Sequence, residues 1–145
     1  MTFAAPTLRL SQSQHAVIIG HCYDGLPDEA CGLLTGPYLQ GEPDGRVHGV
    51  HPCGNADASA RTYTVEPRDL LRVMRAAESH GDEIIGVWHS HTHTDAYPSL
   101  TDVRQAADPS WIYVIVSLRD IAPVLRAFRI RGEDVAEIPV ALDRD

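Results

Sequence analysis

The chain has 145 residues, of which 43% are hydrophobic and 22% charged, and its formal net charge is −8. This composition is typical of an ordinary globular protein, and we expect residues 1–145 to form a single domain. All twelve basic side chains are arginines scattered along the chain. This acidic balance without a basic cluster argues against nucleic acid as a partner.

Targeting and redox signals are few. Residues 1–6 show neither the basic start nor the apolar run of a secretory signal, and no stretch approaches the ~18 apolar residues of a membrane span. The three cysteines, Cys22, Cys31 and Cys53, form no C-x-x-C pair. An odd number without framework spacing favours a reducing compartment, so we expect the cytoplasm. Whether Cys31 and Cys53 lie close enough to pair stays open.

The first half of the chain predicts one helix among several strands. Ser11 is a suitable N-cap, and residues at helical spacing then run to Gly25, where the helix is expected to end. Its expected buried face consists of His15, Ile18, Ile19 and Cys22. The strands are predicted over 8–10, 29–36, 46–51 and 61–65, with a turn or hairpin loop over 36–45 and a polar linker over 52–60.

The second half alternates helices and strands. Pro67 suits the first turn of a second helix, which is predicted to end before Gly81. Its predicted apolar stripe consists of Leu70, Leu71, Met74 and Ala77. A strand over 83–90, a short helix over 98–107, strands over 111–118 and 124–130, and an edge strand over 135–140 follow. This order predicts an α/β domain with a mixed sheet and helices packed on it.

Two histidines and an aspartate stand at metal-ligand spacing around the end of the strand over 83–90. In an extended chain His89 and His91 point the same way, ~6.5–7 Å apart along the strand, so both rings can reach one ion. Asp102 follows eleven residues later and can return as an oxygen ligand. Three such ligands leave a fourth position for water, which is typical of a catalytic zinc site.

The same residues have other interpretations. An alternating polar pair is common at the solvated end of a strand, and Ser99-x-x-Asp102 is also a capping box. His93 continues the alternation and competes with Asp102 for the third ligand position. Three alternate residues of one strand would spread over ~13 Å, which favours His93 as a pocket residue.

A hydrolytic metal site also needs a general base. Glu29, beside the buried strand over 29–36, is the best placed candidate if that strand neighbours the one that carries His89. Asp28, Glu66 and Glu83 are equally titratable and stay open as alternatives.

The combined spacing H-x-H-x7-S-x2-D, with Glu29 in an Asp-Glu-x-x-Gly-Leu-Leu-x-Gly context, resembles the JAMM metalloprotease family, also called MPN+ domains. The resemblance covers nearly the whole chain. It implies a curved mixed sheet with flanking helices, similar in layout to cytidine deaminases. It also implies one zinc ion bound by His89, His91 and Asp102, with Glu29 as general acid/base and Ser99 hydrogen-bonding the oxyanion during amide hydrolysis.

Within the family, the short length and the wording of segments 27–32 and 89–99 resemble small bacterial members of the CysO-cysteine peptidase type. That resemblance implies a ubiquitin-like sulfur-carrier protein as substrate and release of cysteine, or of a short extension, after its C-terminal Gly-Gly. Thr92 stands where eukaryotic members carry proline, and their long insertions are lacking. Deconjugation of ubiquitin-like modifiers and a non-catalytic scaffold are the alternatives. A zinc nucleobase deaminase would need H-x-E and P-C-x-x-C, which this chain lacks.

Overall fold

The computed structural model describes residues 6–145, so what was predicted for residues 1–5 lies outside the described part. The helices are α1 (Gln12–Asp24), α2 (Pro67–Ser79) and α3 (Leu100–Gln105). The strands are β1 (Leu8–Ser11), β2 (Cys31–Gly36), β3 (Tyr38–Leu39), β4 (Glu42–Pro43), β5 (Gly49–Cys53), β6 (Glu83–His91), β7 (Ile112–Ser117), β8 (Val124–Arg131), β9 (Asp134–Ile138) and β10 (Val140–Asp143). None of these helices has the length and apolar character needed to cross a membrane.

A six-stranded mixed sheet organises the molecule, in the order β5-β2-β6-β7-β8-β9. β6 and β7 are parallel and are joined through α3, whereas the other neighbours in this sheet are antiparallel. The predicted α/β class with a mixed sheet is confirmed. β2 and β6 run in opposite directions, so the first residues of β2 lie beside the last residues of β6.

Helices cover the sheet on two sides. On one side Ile18 and Cys22 of α1 pack in a cluster with Trp88 of β6. On the other side Val73 of α2 packs in a second cluster with Val87. The alternation of side chains along β6 therefore divides the core into two layers.

Gly32 is needed where β2 crosses the ring of Trp88. A Cβ atom at position 32 would lie 2.1 Å from an atom of that ring. Trp88 is fully buried, so the ring has no free space into which it could move. The absence of a side chain at Gly32 lets the indole fill the layer beneath α1.

Both ends of the described chain meet in a second small sheet, where β1 pairs in parallel with β10. The edge strand predicted over 135–140 is confirmed in β9, which lies at the edge of the six-stranded sheet, but β9 ends at Ile138 and Val140 begins a second strand, β10. Pro139 lies between them and has no N–H for a strand ladder. Its carbonyl oxygen instead accepts a hydrogen bond from Leu8 N at 2.9 Å.

The predicted strand over 61–65 is wrong. In the described part of the chain this segment forms one isolated bridge, between Asn55 and Val65. The side chain of Asn55 accepts a hydrogen bond from Thr64 N and donates one to Thr62 O, each at 3.0 Å. These backbone groups are therefore bound to a side chain and do not pair with a neighbouring strand.

Two further predictions needed adjustment. The strand predicted over 46–51 is β5, which begins three residues later, at Gly49.

On α2 the predicted stripe is partly wrong, because Leu71 and Met74 are 48% and 46% exposed while Val73 is fully buried. The short α2 turns its β-branched valine towards the sheet and leaves these longer side chains along its flank.

Candidate metal centre

The C-terminal end of β6 carries His89 and His91 on one face of the sheet. Both side chains are buried, with exposed fractions of 1% and 4%. The chain then turns and enters α3, where Asp102 lies in the first turn. The crossover from β6 to β7 thus brings a carboxylate back over the two imidazoles.

The three side chains point their donor atoms at one small region. Nε2 of His91 lies 2.9 Å from Oδ2 of Asp102, and Nε2 of His89 lies 3.2 Å from the same oxygen. The two Nε2 atoms are 3.2 Å apart. Ligands bound to a tetrahedral zinc ion lie about 3.3 Å from one another, so this triangle has nearly the size that zinc requires.

The hydrogen bonds of His91 orient Nε2 towards Asp102. Its Nδ1 lies 2.7 Å from the carbonyl oxygen of Asp95 and must donate a proton to it. Nε2 then faces Oδ2 of Asp102 at 2.9 Å. A proton on Nε2 joins the two groups in the metal-free protein, and a metal ion can take the place of that proton. The donor set fits a divalent metal ion.

An aromatic ring packs against the face of the His89 imidazole. Tyr63 stacks on the imidazole with 4.3 Å between ring centroids and 19° between planes. The ring fixes the orientation of His89, whose Nδ1 is buried without a hydrogen-bond partner among the described residues.

Charge and burial act against each other at this centre. Burial favours the neutral acid at Asp102, but hydrogen bonds from His89 and His91 outweigh it and hold the pKa of Asp102 well below its usual range. Burial lowers the pKa of His89. Burial also opposes the charge of His91, yet the contact with Asp102 raises the pKa of His91. Asp102 is therefore an anion at neutral pH, as an oxygen ligand must be.

Glu29 lies two residues before β2, whose first residue, Cys31, pairs with His89. It is 5% exposed, and its Oε1 has no hydrogen-bond partner among the described residues. Burial raises the pKa of the Glu29 carboxyl to about 7. This carboxyl lines a cavity of about 600 Å³ together with His91 and Ser99.

The other acids considered from the sequence lie elsewhere. Asp28, Glu66 and Glu83 do not line this cavity, and Glu83 lies at the opposite end of β6. Of these four acids, Glu29 is the one that lines the cavity with His91, and the pKa of its carboxyl lies near neutral pH.

Ser99 is the N-cap of α3 and forms a capping box with Asp102. Ser99 Oγ accepts a hydrogen bond from Asp102 N at 3.0 Å, and Ser99 N donates to Asp102 Oδ2 at 2.9 Å. Ser99 is therefore both the N-cap of α3 and a residue of the candidate centre. The hydroxyl hydrogen of Ser99 is left free to donate into the cavity.

His93 lies outside the group of three possible metal ligands. Its side chain is exposed and lines the cavity, as expected for a pocket residue. Its Nδ1 lies 2.7 Å from Thr92 Oγ1, and Thr92 Oγ1 donates its hydrogen to Ala60 O at 3.2 Å.

Two residues that shape the centre were missed from the sequence. Tyr63 was assigned to a strand, and Asn55 to a polar linker. Asn55 Nδ2 donates to the carbonyl oxygens of Glu29 and Thr62, both at 3.0 Å. The available signal was the Asn-x-Asp sequence, because Asn55 Oδ1 accepts from Asp57 N at 3.0 Å in a typical Asx-turn.

The sequence matches a known family. Residues 11–131 match the model of the prokaryotic homologs of the JAB domain. The chain belongs to this JAB/MPN family. It is a metallopeptidase of the JAMM type, as the family match and its peptidase relative indicate, and the fold expected from the motif is confirmed.

Characterised relatives cover most of the chain. It is 40% identical over 124 residues to the CysO-cysteine peptidase of Mycobacterium tuberculosis, covering 85% of this chain and 82% of that protein. It is 32% identical over 142 residues to the desampylase of Haloferax volcanii, covering 94% and 96%.

Solved structures share the fold. Protein DSY2949 of Desulfitobacterium hafniense superposes with a TM-score of 0.85 at 34% identity, covering 94% of this chain and 93% of that one. AF2198, a JAB1/MPN domain protein of Archaeoglobus fulgidus, superposes with a TM-score of 0.56 at 16% identity, covering 95% of this chain and 100% of its own. The second likeness concerns the fold alone.

Proposed function

We propose that this protein is a zinc-dependent peptidase that cleaves the amide bond after the C-terminal Gly-Gly of a ubiquitin-like sulfur-carrier protein and releases cysteine. The observation that carries the proposal is a cavity lined by both Glu29 and His91. Oε1 of Glu29 is buried there without a hydrogen-bond partner among the described residues, and the donor atoms of His91 converge with those of His89 and Asp102.

His89, His91 and Asp102 are the residues that would hold the metal. A zinc ion bound there would supply Lewis-acid polarisation of the scissile carbonyl and a nucleophilic water at neutral pH. Asp95 supports this ligand set, because its carbonyl oxygen fixes the tautomer of His91 at 2.7 Å.

Glu29 moves the proton. As a carboxylate it takes a proton from the attacking water while the new C–O bond forms at the carbonyl carbon. It then passes the proton to the nitrogen of the leaving cysteine as the C–N bond breaks. Its pKa near 7 suits a group that must both accept and return a proton at physiological pH.

Ser99 stabilises the negative charge that develops on the carbonyl oxygen. Its Oγ already accepts from Asp102 N, which orients the hydroxyl and leaves its hydrogen available to the oxyanion. Because this bond also starts α3, the residue that caps the helix and the residue that donates to the substrate are the same.

The names of the relatives support a carrier tail as the substrate. Two are the CysO-cysteine peptidase and the desampylase already described, and a third is a probable TtuB-protein conjugate cleaving protease of Thermus thermophilus, 31% identical over 87 residues. The second and third names favour an alternative for this chain, the deconjugation of a ubiquitin-like modifier from a protein. The higher identity to the CysO-cysteine peptidase favours release of cysteine.

Mass spectrometry of a carrier extended by Gly-Gly-Cys, incubated with the zinc-loaded protein, tests the proposal. We expect the carrier to lose one cysteine residue and nothing more. A carrier joined through an isopeptide bond to a protein lysine is the comparison substrate. Cleavage of the isopeptide substrate with no loss of cysteine from the first would overturn the proposal in favour of deconjugation.

A non-catalytic scaffold is the other alternative. It predicts a broken ligand set, whereas all three donors converge here. Metal analysis of the purified native protein distinguishes the two: we expect about one zinc ion per chain, and a metal-free native protein would support the scaffold.

A further inference from the structure

One basic side chain in the wall of the active cavity is unused by the proposed chemistry. Arg61 lines the same cavity of about 600 Å³ as Glu29 and Ser99. In the described part of the chain, seven arginines form ion pairs, and Arg61 is not among them. Its guanidinium is exposed and free to bind a ligand.

The negative net charge of the protein gives weight to a cation in the cavity wall. The chain carries a net charge of −8. An anionic ligand is therefore repelled by most of the molecular surface, and a cation in the cavity wall favours its entry. Arg61 is the one arginine among the residues that line this cavity within residues 6–145.

His93, the other titratable side chain at the rim, cannot take this role as a neutral ring. Thr92 Oγ1 donates to Ala60 O, so it must accept from His93 Nδ1. A neutral His93 then presents only an acceptor at Nε2. The fixed positive charge and the planar fork of donors that match a carboxylate belong to Arg61.

The backbone that carries Arg61 is anchored to the catalytic elements. Arg61 N donates to Ser59 Oγ at 3.0 Å, and Ser59 O accepts from Glu29 N at 2.7 Å. The next carbonyl before Arg61, that of Ala60, accepts from Thr92 Oγ1 at 3.2 Å. Arg61 therefore projects from a main chain whose position relative to Glu29 is fixed.

We propose that Arg61 binds the α-carboxylate of the C-terminal residue that the enzyme releases, and so makes the site selective for a terminal residue over an internal peptide bond. The inference rests on the proposed function, because a single released residue is the substrate group whose carboxylate lies close to the scissile bond. It adds a substrate-binding residue to a site otherwise described by its metal ligands and proton carrier.

The experiment compares two substrates that differ in one group: the carrier ending in Gly-Gly-Cys as the free acid, and the same carrier with a C-terminal carboxamide. For the wild-type protein we expect kcat/KM to be about 10- to 100-fold lower on the amide, the range of a lost charge-assisted hydrogen bond. For Arg61→Ala we expect kcat/KM on the acid to be lowered by the same factor, and kcat/KM on the amide to equal that of the wild-type protein.

Two controls complete the design. Arg68→Ala removes an exposed arginine outside the cavity and should leave both rates unchanged, whereas Arg61→Lys keeps the charge without the fork and should recover part of the preference for the acid. Equal wild-type rates on acid and amide, or an equal loss on both substrates in Arg61→Ala, would overturn the inference alone. Failure of the wild-type protein to cleave either substrate would overturn the proposed function and the inference with it.

Discussion

Glu29 is a carboxyl group whose ionisation the fold opposes, and this has a consequence for stability in the metal-free protein. Burial raises its pKa from 4.5 to about 7, so between these values the folded state binds more protons than the unfolded state. The free energy of unfolding contributed by Glu29 therefore falls as pH rises from about 4.5 to 7.

Replacement of Glu29 by glutamine removes this titration. In the presence of a chelator, we expect the stability of Glu29→Gln relative to wild type to improve by about 3 kcal/mol between pH 4 and pH 8. Urea unfolding at both pH values measures it, and comparison across pH cancels the constant cost of the buried amide. A difference between variant and wild type that stays the same at both pH values would contradict the raised pKa.

Ser99 combines a structural and a catalytic contact, and substitution separates them. Ser99→Ala should lower stability by about 1 kcal/mol through the lost N-cap. It should also lower kcat by roughly 10²- to 10³-fold through the lost oxyanion donor, while zinc stays bound. Ser99→Thr keeps the hydroxyl and should retain most of both. Full activity of the zinc-loaded alanine variant would remove Ser99 from the mechanism.

At the residue scale, the sequence identified the side chains whose grouping follows from local geometry. His89 and His91 share a face because strand side chains alternate, and Asp102 follows a capping signal at a helix start. Tyr63 could not be predicted as the neighbour of His89, because its position depends on a loop that is held by side-chain contacts. Those contacts join residues that have no periodic relation in the chain.

The segment between β5 and α2 is the element that closes the site, and Asn55 organises it. Its amide donates to Glu29 O and Thr62 O and accepts from Asp57 N and Thr64 N. Strand propensity in residues 61–65 is overridden because these contacts use the backbone groups that a sheet would need.

Removal of the Asn55 side chain should loosen this segment. We expect Asn55→Ala to lose about 2 kcal/mol of local stability from several hydrogen bonds, visible as faster amide hydrogen exchange in residues 56–64, with lower activity. Asn55→Asp keeps the two acceptor contacts and loses the two donors, so it should fall between alanine and wild type. Unchanged exchange in the alanine variant would show that other contacts hold the segment.

At the scale of the whole molecule, hydrophobic periodicity predicted the elements but not the order of the strands. The pairing of β1 with β10 joins positions such as Leu8 and Val140 from opposite ends of the chain, and no local pattern specifies such a partner. The mixed sheet was predictable from crossovers, whereas the separation of the core into two layers followed only from the helices' positions in space.

Metal binding should stabilise the whole domain, since the ligands come from β6 and α3 and are assembled only in the folded state. At a free zinc concentration about 100-fold above Kd, the gain is about 2.7 kcal/mol, or roughly 5–10 °C in Tm for a domain of this size. His91→Ala should abolish the shift, and His80→Ala, an exposed histidine at the end of α2, should retain it. An equal shift in both variants would place the metal elsewhere.

The central claim is that Glu29 carries the proton while His89, His91 and Asp102 hold the metal. The most direct measurement is the turnover of the carrier ending in Gly-Gly-Cys by Glu29→Gln, in protein whose zinc content has been determined. We expect about one zinc ion per chain and a loss of roughly 10²- to 10⁴-fold in kcat, the range for removal of a general acid/base. Loss of zinc with activity retained in the residual loaded fraction would make Glu29 a ligand and contradict the account.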